Sequence, residues 1–245
     1  MKIQYIEHTD STNRWLRERG GEEDVVVWTD YQSAGRGCGT NSWESERAKN
    51  LLFSMLIHPV HIRPANQFTI SMAISLAIVS ALSDYTDGLS IKWPNDIYWH
   101  DRKICGILIE NRLSGGSIKD CIIGVGLNVN QQRFLSDAPN PVSLRQIVGH
   151  EVERDELLQK ILDRFSIGKD DGPLYRSLLY RRTGFHPYRD ADGDFEAEMV
   201  DVENDGHLLL KDKEGRERRY AFKELQFLTN ERDDGRMTNV RTINS

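Results

Sequence analysis

Residues 92–106 read Lys92-Trp93-Pro94-Asn95-Asp96-Ile97-Tyr98-Trp99-His100-Asp101-Arg102-Lys103-Ile104-Cys105-Gly106, and this stretch decides how the chain is interpreted. It places lysines, aspartates, a Pro-Asn turn and a closing glycine between two apolar, strand-like runs. A buried strand normally excludes lysine, because an unpaired ammonium in apolar surroundings is costly. Lys92 and Lys103 beside one tight turn therefore suggest that an anion binds there. On this window alone, an exposed hairpin with solvated charges remains the simpler interpretation.

The size and charge of the chain restrict the classes of function. Its 245 residues suffice for one large or two modest domains with a hydrophobic core. The formal net charge is −6, which argues against general nucleic-acid affinity, since that usually needs a basic face. Three cysteines without metal-ligand spacing favour a reduced, cytoplasmic setting. The most apolar segment, 68–82, is short and interrupted by Ser and Thr, so it predicts a buried helix and not a membrane span.

Hydrophobic periodicity predicts a sheet backed by helices, followed by a second, β-rich segment. Strands are predicted at 2–8, 25–29, 50–58, 89–93, 97–99, 103–113 and 118–129, and helices from the Asp10 region to Arg19 and at 65–83, 143–148, 154–165 and 173–182. After Gly184 short alternating segments at 196–202, 207–211, 216–222 and 225–228 predict a small β-barrel domain. The polar, charged tail from Asn230 is predicted to be disordered.

Two glycine-rich segments carry weaker signals of a ligand site. Gly35-Arg36-Gly37-Cys38-Gly39 follows a strand, and its backbone N–H groups and Arg36 could approach an anion, although a mobile surface loop fits equally well. Gly124-Val125-Gly126-Leu127-Asn128 ends an apolar strand, where glycines mark close approach of a ligand or simply a bulge.

The segment Asp10-Ser11-Thr12-Asn13 is most simply a helix N-cap. A cap uses one of these residues, so the other hydroxyl and amide groups remain free to bind a polar ligand.

Taken in order, these segments resemble those of bacterial biotin–protein ligases, also called biotin–[acetyl-CoA-carboxylase] ligases. The resemblance covers about residues 5–130, and the KWPND and KxxG pair with the GRG loop is specific in combination. It rests on Asp10-Ser11-Thr12-Asn13, Gln32 with Ala34-Gly35-Arg36-Gly37 and Trp43, Asn50-Leu51, Lys92-Trp93-Pro94-Asn95-Asp96, Lys103 with Gly106-Ile107-Leu108, and Gly124 with Gly126-Leu127-Asn128.

The resemblance implies an α+β catalytic domain with a mixed sheet, of the class II synthetase type, over residues 1–184. It further implies an SH3-like C-terminal domain at 185–229, and we expect 230–245 to be a flexible tail. The implied reaction activates biotin with ATP as biotinyl-5'-AMP and transfers it to a lysine of a biotin carrier domain. Fixed lysines and backbone N–H groups suit this chemistry, because both steps develop negative charge on oxygen.

The resemblance also implies roles for single residues. Lys103, Lys92 and Arg36 would be catalytic, and Asp96 would hold Mg²⁺. Biotin would be bound by Ser11, Thr12, Asn13, Gln32, Gly35, Arg36, Lys103, Gly106, Ile107 and Gly124. ATP would be bound by Arg36, Trp43, Lys92, Asn95, Asp96, Lys103, Gly126 and Asn128.

Two departures from the family pattern bear on function. The loop of the family often reads GRGRxGRxW, and here Cys38 replaces its second arginine, so we expect another cation, Arg36 or Arg47, to hold the adenylate. The sequence also begins directly with the catalytic strand, so we expect no N-terminal DNA-binding module and no DNA binding. A homodimer is compatible with the sequence but nothing in it requires one.

Two rival functions remain open at this point. A lipoate-type ligase shares the outline of the KWPND motif, although the GRG loop with Gly124-x-Gly126-x-Asn128 favours biotin. A non-catalytic biotin sensor would need fewer cations than the two lysines supply.

Overall fold

A seven-stranded mixed sheet is formed by the strands predicted in the first half of the chain. The protein was analysed as a computed structural model, which describes residues 1–39, 41–136, 140–168 and 171–228. The strand order is β1-β2-β3-β7-β6-β5-β4, with β1 and β2 parallel and the other pairs antiparallel. The strands are β1 (Lys2–Thr9), β2 (Val25–Gln32), β3 (Leu51–Ile57), β4 (Leu89–Lys92), β5 (Asp96–Trp99), β6 (Arg102–Ser114) and β7 (Ser117–Leu127).

Helices cover both faces of the central strands. Every residue of β3 is buried, which explains its continuous apolar run. The predicted core helix, α2 (Phe68–Leu82), packs on one face together with α4 (Arg154–Arg164). The opposite face is covered by α1 (Thr12–Arg19), whose Leu16 packs against Leu56 and Ile122. A short 3₁₀ turn, Pro64–Asn66, precedes α2, and α3 spans Leu144–Val148.

One apolar helix meets the length and composition of a membrane span. It covers Pro64–Leu82, and 72% of its apolar window is buried inside the protein. That burial is the environment predicted for it as a core helix.

The predicted helix at 173–182 is wrong in its second half. The helix α5 spans Gly172–Ser177, and the chain then runs alongside the outer strand β4. Ile91 N donates to Leu178 O at 2.8 Å, and Tyr180 N donates to Ile91 O at 2.9 Å. Backbone groups of residues 178–180 thus pair with the edge strand β4 and do not form the internal hydrogen bonds of a longer helix.

The C-terminal segment forms a separate five-stranded antiparallel sheet, as predicted, in the order β11-β10-β9-β8-β12. The predicted first strand began at 196, whereas two strands begin earlier because the Asp192-Gly193 turn joins a hairpin. The strands are β8 (His186–Asp190), β9 (Gly193–Val202), β10 (Leu208–Asp212), β11 (Glu217–Tyr220) and β12 (Gln226–Phe227). An α+β fold with a small C-terminal β domain is therefore confirmed. The SH3-like classification and the 184/185 boundary stay predictions, and the tail 230–245 lies outside the described residues.

The C-terminal domain contacts the Lys92–Asp96 motif directly. The buried Trp93 donates its Nε1–H to Gly206 O at 2.9 Å, and its ring lies edge-on to Phe222 at 6.2 Å. From α5, the Tyr175 hydroxyl donates to Pro94 O at 2.6 Å. The motif is thus fixed from two sides before any ligand binds.

We expect Trp93→Phe to destabilise the protein by about 1–3 kcal/mol, because it leaves the Gly206 carbonyl without its donor and opens space at the domain junction. Urea unfolding measures this change. The matched control is Trp15→Phe, since Trp15 is half-buried and its indole N–H makes no hydrogen bond among the described residues. Equal stability of the two variants would contradict a special role for the Trp93 contact.

Candidate active site

Three glycines lie where strands β6 and β7 meet side chains from other elements. A Cβ at Gly124 would lie 2.1 Å from Asn13 Oδ1, and one at Gly126 would lie 2.4 Å from Trp43 Cε2. Gly106, which pairs with Gly126, would meet Trp43 Cζ3 at 2.7 Å. Any side chain there would displace these groups, so the backbone itself forms the floor of the site. Protein side chains thus lie close to all three glycines, and the ligand contacts that the resemblance implies for them stay predictions.

The start of α1 supplies a polar wall beside this floor. Thr12 donates from its backbone N and from Oγ1 to Gln32 Oε1, at 2.8 and 3.0 Å. The buried Ser54 hydroxyl lies 2.7 Å from Thr12 Oγ1 and 2.6 Å from Asn13 Oδ1. Asn13 donates through Nδ2 to Glu110 Oε2 at 2.8 Å. The Asn13 amide thereby holds α1 against the sheet.

Two groups of this wall retain unused hydrogen-bonding capacity. Ser11 occupies the N-cap position, yet its side chain makes no capping bond. Within the described ranges, neither its hydroxyl nor Gln32 Nε2 has a hydrogen-bond partner. A donor amide and a free hydroxyl at one end of the floor suit a neutral polar ligand with both donors and acceptors.

The glycine loop is a narrow hairpin. Trp43 N donates to Gly35 O at 2.9 Å, Gly37 N donates to Asn41 O at 2.8 Å, and an antiparallel bridge joins Arg36 to Ser42. At its base the two arms lie so close together that a Cβ on Gly35 would lie 2.7 Å from Trp43 O. The hairpin thereby delivers Trp43 to the sheet.

The Trp43 indole lies on the glycine floor beside a lysine. Lys103 Nζ is 5.8 Å from the centre of the Trp43 ring, within the range of a cation–π contact. The Trp43 Nε1–H is buried and has no acceptor in the part of the chain that the structure describes. An unpaired buried donor next to an ammonium favours an anionic or carbonyl acceptor at this point.

Lys92 and Lys103 both lie in the neighbourhood of the Asp96 carboxylate. Lys103 Nζ is 2.5 Å from Asp96 Oδ2. Lys92 donates to the Tyr98 hydroxyl at 3.2 Å and sits over the rings of Tyr98 and Phe227, at 5.1 and 5.2 Å. No carboxylate among the described residues lies within 4.0 Å of Lys92 Nζ.

Burial lowers the pKa of Lys92 below its ordinary value of 10.5, and the positive charges of Lys103 and Arg181 act in the same direction, while Asp96 opposes them. Arg181 follows the segment that pairs with β4, and it has no carboxylate partner within the described ranges. Three half-buried cations thus influence one another beside a single carboxylate, Asp96. Such an excess of positive charge favours a polyanionic ligand.

The structure separates some predicted site residues from this cluster. The Ile107 side chain belongs to the core, because neighbours in a strand face opposite sides and Gly106 faces the site. Asn128 is buried and its Nδ2 donates to Val142 O at 3.2 Å, so this amide holds a loop. Arg36 is exposed, while Arg47 pairs with Glu7 and lies over the Tyr31 ring. Asn95 lies at the turn between β4 and β5 and makes no hydrogen bond with the described residues.

Sequence reasoning missed Ser54, Glu110 and Arg181. The only available signal for Ser54 was a hydroxyl inside an otherwise apolar strand, which marks a position that needs a polar partner. Arg181 was hidden by the incorrect helix at 173–182, and Glu110 by its place in a long alternating strand.

Among the residues that the structure describes, the acidic groups near the two lysines do not form a ready metal site. Asp96 offers one carboxylate, and one of its oxygens already pairs with Lys103. A cluster of Glu203, Asp205 and His207 lies in the C-terminal domain, where Arg219 pairs with both carboxylates.

Comparison with known proteins places this geometry in a family. The model described as "Biotin/lipoate A/B protein ligase family" matches residues 5–128. "Bifunctional ligase/repressor BirA" of Bacillus spizizenii is 30% identical over 241 residues, which cover 88% of this chain and 70% of that protein. The "Biotin--[acetyl-CoA-carboxylase] ligase" of Paracoccus denitrificans is 28% identical over 201 residues, which cover 76% of this chain and 77% of that relative.

A solved structure shares the arrangement of both sheets. The biotin protein ligase from Aquifex aeolicus, in complex with biotin and ATP, superposes with a TM-score of 0.78 at 25% sequence identity. The match covers 93% of this chain and 99% of that chain.

The lowered pKa of Lys92 gives a prediction about stability. Between that pKa and 10.5 the folded protein binds fewer protons than the unfolded chain, so stability contributed by Lys92 rises with pH through this window. Below the window, the charged ammonium destabilises the ligand-free fold. We therefore expect Lys92→Met to raise Tm at pH 7 and to flatten the rise of Tm with pH, as followed by thermal unfolding from pH 7 to 10.5.

The control for this experiment is Lys119→Met at an exposed position of β7. It should leave both the Tm and its pH dependence unchanged. A fall of Tm at pH 7 in Lys92→Met would mean that the ammonium stabilises the empty site.

Proposed function

This chain belongs to the biotin/lipoate A/B protein ligase family, and we propose that it is the ATP-dependent ligase that activates biotin as biotinyl-5'-AMP and transfers it to a lysine of a biotin carrier domain. One observation carries the proposal: the half-buried Lys92, which has no carboxylate within 4.0 Å of its Nζ among the described residues, shares the Asp96 neighbourhood with Lys103, and Lys103 lies beside the unpaired Trp43 N–H on the glycine floor next to the polar wall. A polyanion and a polar uncharged ring can therefore bind next to each other, as ATP and biotin must.

In the first step, a carboxylate oxygen of biotin attacks the α-phosphorus of ATP, the bond to the bridging oxygen breaks, and pyrophosphate leaves. Two anions must approach each other for this to happen. Lys103 is suited to hold the biotin carboxylate against the α-phosphate, and Lys92 with Arg181 is suited to neutralise the remaining phosphates. These fixed charges stabilise the transition state without a covalent enzyme intermediate.

In the second step, the uncharged amine of the carrier lysine attacks the carbonyl carbon of the mixed anhydride. The carbon–oxygen bond to the phosphate breaks, AMP leaves, and the amine loses a proton. The negative charge that develops on the carbonyl oxygen again lies near Lys103. The same cation therefore serves both steps.

The polar wall is suited to the ureido ring of biotin. Gln32 Nε2 can donate to the ring carbonyl, and the Ser11 hydroxyl can pair with a ring N–H, because both groups lack partners within the described ranges. Thr12 and Asn13 position them from the first turn of α1. The floor at Gly124 and Gly106 lets the ligand lie close to the backbone.

On the ATP side we assign Trp43, which lies on Gly126, and Lys92 with Arg181 near it. We propose Mg²⁺ as the metal that enters with the phosphates of ATP. Mg²⁺ commonly uses one or two carboxylates together with substrate phosphates, and Asp96 fits the carboxylate role through the oxygen that Lys103 leaves free. The metal would neutralise phosphate charge as pyrophosphate leaves. Asn95 and Arg36 remain proposed ATP contacts near this cluster, and Asn128 contributes through the loop that it holds.

The rival functions fit the pocket less well. A lipoyl dithiolane ring has no donor or acceptor to satisfy Gln32 Nε2 and the Ser11 hydroxyl, whereas a ureido ring has both. A sensor that only binds biotin would have no use for the positive charge that Lys92 and Arg181 hold without a carboxylate partner among the described residues.

We also make proposals about the acceptor, the cellular location and the binding partners of this protein. A biotin carboxyl carrier domain is the proposed acceptor, and a cytoplasmic location agrees with the free cysteines Cys38, Cys105 and Cys121. The absence of DNA binding rests on the net charge of −6. Homodimerisation also stays a prediction.

The decisive assay incubates the protein with ATP, Mg²⁺, labelled biotin and a carrier domain. We expect label on the carrier lysine and pyrophosphate release that requires biotin. Isothermal titration with biotin and with lipoate separates the rivals. Label that fails to reach the carrier, with lipoate bound more tightly than biotin, would overturn the proposal.

We expect Lys103→Ala to slow biotin-dependent pyrophosphate release roughly a hundredfold, since loss of one such charge contact typically costs about 3 kcal/mol in the barrier. Single-turnover adenylation measures the effect. Lys119→Ala on β7 serves as the exposed control and should react at the wild-type rate. A rate within a few-fold of wild type in Lys103→Ala would remove this lysine from the mechanism.

A further inference from the structure

The tip of the glycine hairpin faces a lysine of the C-terminal domain. Gly39 has a φ of +70°, and a Cβ built on it would lie 3.7 Å from Lys223 Nζ. This approach brings the C-terminal domain to the catalytic sheet's loop at a second place, besides the Trp93–Gly206 hydrogen bond of the Lys92–Asp96 motif. Lys223 is therefore a charged group that meets the loop from outside the catalytic sheet.

The hairpin tip, residues 38–39, offers backbone N–H groups that suit an anion but no cationic side chain. The backbone N–H groups of Cys38 and Gly39 donate to no acceptor among the described residues. Consecutive free N–H groups at a turn favour anions. Cys38 contributes no charge at this point, and the ammonium of Lys223 lies against the same turn.

Lys223 is held in place by its neighbours in sequence. Its turn is closed by two hydrogen bonds, from Ala221 N to Glu224 Oε2 at 2.8 Å and from Glu224 N to Ala221 O at 3.2 Å. Phe222 packs edge-on against Trp93, and Phe227 lies under Lys92. The segment 222–227 thus runs along the active site from the Lys92–Asp96 motif to the loop tip.

The backbone of Lys223 is strained for a residue with a side chain. Its φ is +78°, a left-handed conformation that glycine adopts freely and that costs other residues energy. Across residues 1–39, 41–136, 140–168 and 171–228, no carboxylate lies within 4.0 Å of its Nζ. Lys223 is exposed, so its ammonium, without a carboxylate partner in these ranges, is available to a ligand that reaches the hairpin tip.

The two arginines expected to serve the loop are less well placed. Arg47 is engaged by Glu7 and the Tyr31 ring at the β1–β2 edge. Arg36 lies below the tip, in the bridge with Ser42. Lys223 is the cation that the described structure places against Gly39.

We propose that Lys223 binds a phosphate of the nucleotide from across the domain junction and retains it at the hairpin tip. This inference rests on the proposed function, since it assumes ATP and biotinyl-AMP as the ligands. The shared chemistry is a phosphate; it belongs either to the adenylate or to the departing pyrophosphate. Lys223 acts as a binding residue, because the chemistry of both steps takes place at Lys103.

The test uses Lys223→Gly in the full chain. Glycine fits the left-handed backbone, so this variant removes the charge while its Tm should stay at or above that of wild type. We expect the KM for ATP or the dissociation rate of preformed biotinyl-AMP to rise about tenfold, with the KM for biotin unchanged. A rise in both identifies the adenylate phosphate, and a rise in the KM for ATP alone identifies the pyrophosphate.

Three further measurements sharpen the result. Lys223→Arg should retain most of the binding, and Lys211→Gly, an exposed lysine of β10 in the same domain, should match wild type in ATP binding. In 1 M salt the difference between wild type and Lys223→Gly should shrink, because an exposed charge is screened. In Lys223→Gly, the added substitution Cys38→Arg should restore retention by returning a cation to the tip.

The outcomes separate this inference from the proposed function. If wild type forms biotinyl-AMP and Lys223→Gly holds ATP and biotinyl-AMP as tightly as wild type, Lys223 has no role and the ligase assignment stands. If wild type forms no biotinyl-AMP with biotin and ATP, the proposed function itself fails.

Discussion

The half-buried Lys92 ammonium, which has no carboxylate partner in the part of the chain that the structure describes, is the constraint on which the active site depends. Aromatic faces and a tyrosine hydroxyl solvate the charge only in part, so its pKa is lowered and the empty protein carries the cost. A bound polyanion would remove that cost. The C-terminal domain takes part in this arrangement, because Phe227 forms one wall around Lys92 and Phe222 braces Trp93.

Residues of the Lys92–Asp96 motif have two different roles: some carry charge at the site, and others hold the motif in place. Lys92 and Asp96 point their charges at the site, whereas Trp93 and Pro94 are bonded to Gly206 and Tyr175. In sequence these residues look like one functional unit. In space, half of the motif belongs to the junction between the domains.

The sequence predicted the mixed sheet, its two main helices and the small β domain, because those depend on local periodicity. The resemblance named Gly106, Gly124 and Gly126 as pocket residues, and in the structure a side chain at any of them would clash with Asn13 or Trp43. The Ile107 side chain lies in the core, as alternation along the strand after Gly106 requires. Arg181 and Lys223 could not be found, because their placement comes from long-range pairing of Tyr180 with β4 and of the Lys223 turn with the glycine hairpin, while Ser54 gave only the signal of a hydroxyl in an apolar strand.

The position of Trp43 on the glycine floor has an optical consequence. Its indole rests on backbone, beside an ammonium and with its N–H unpaired, so an arriving ligand must change the polarity and the charge around this one ring. Trp93 and Trp99 donate their indole N–H groups to Gly206 O and Thr86 Oγ1, contacts internal to the protein. The emission of Trp43 thus makes occupancy of the site visible in the unlabelled protein.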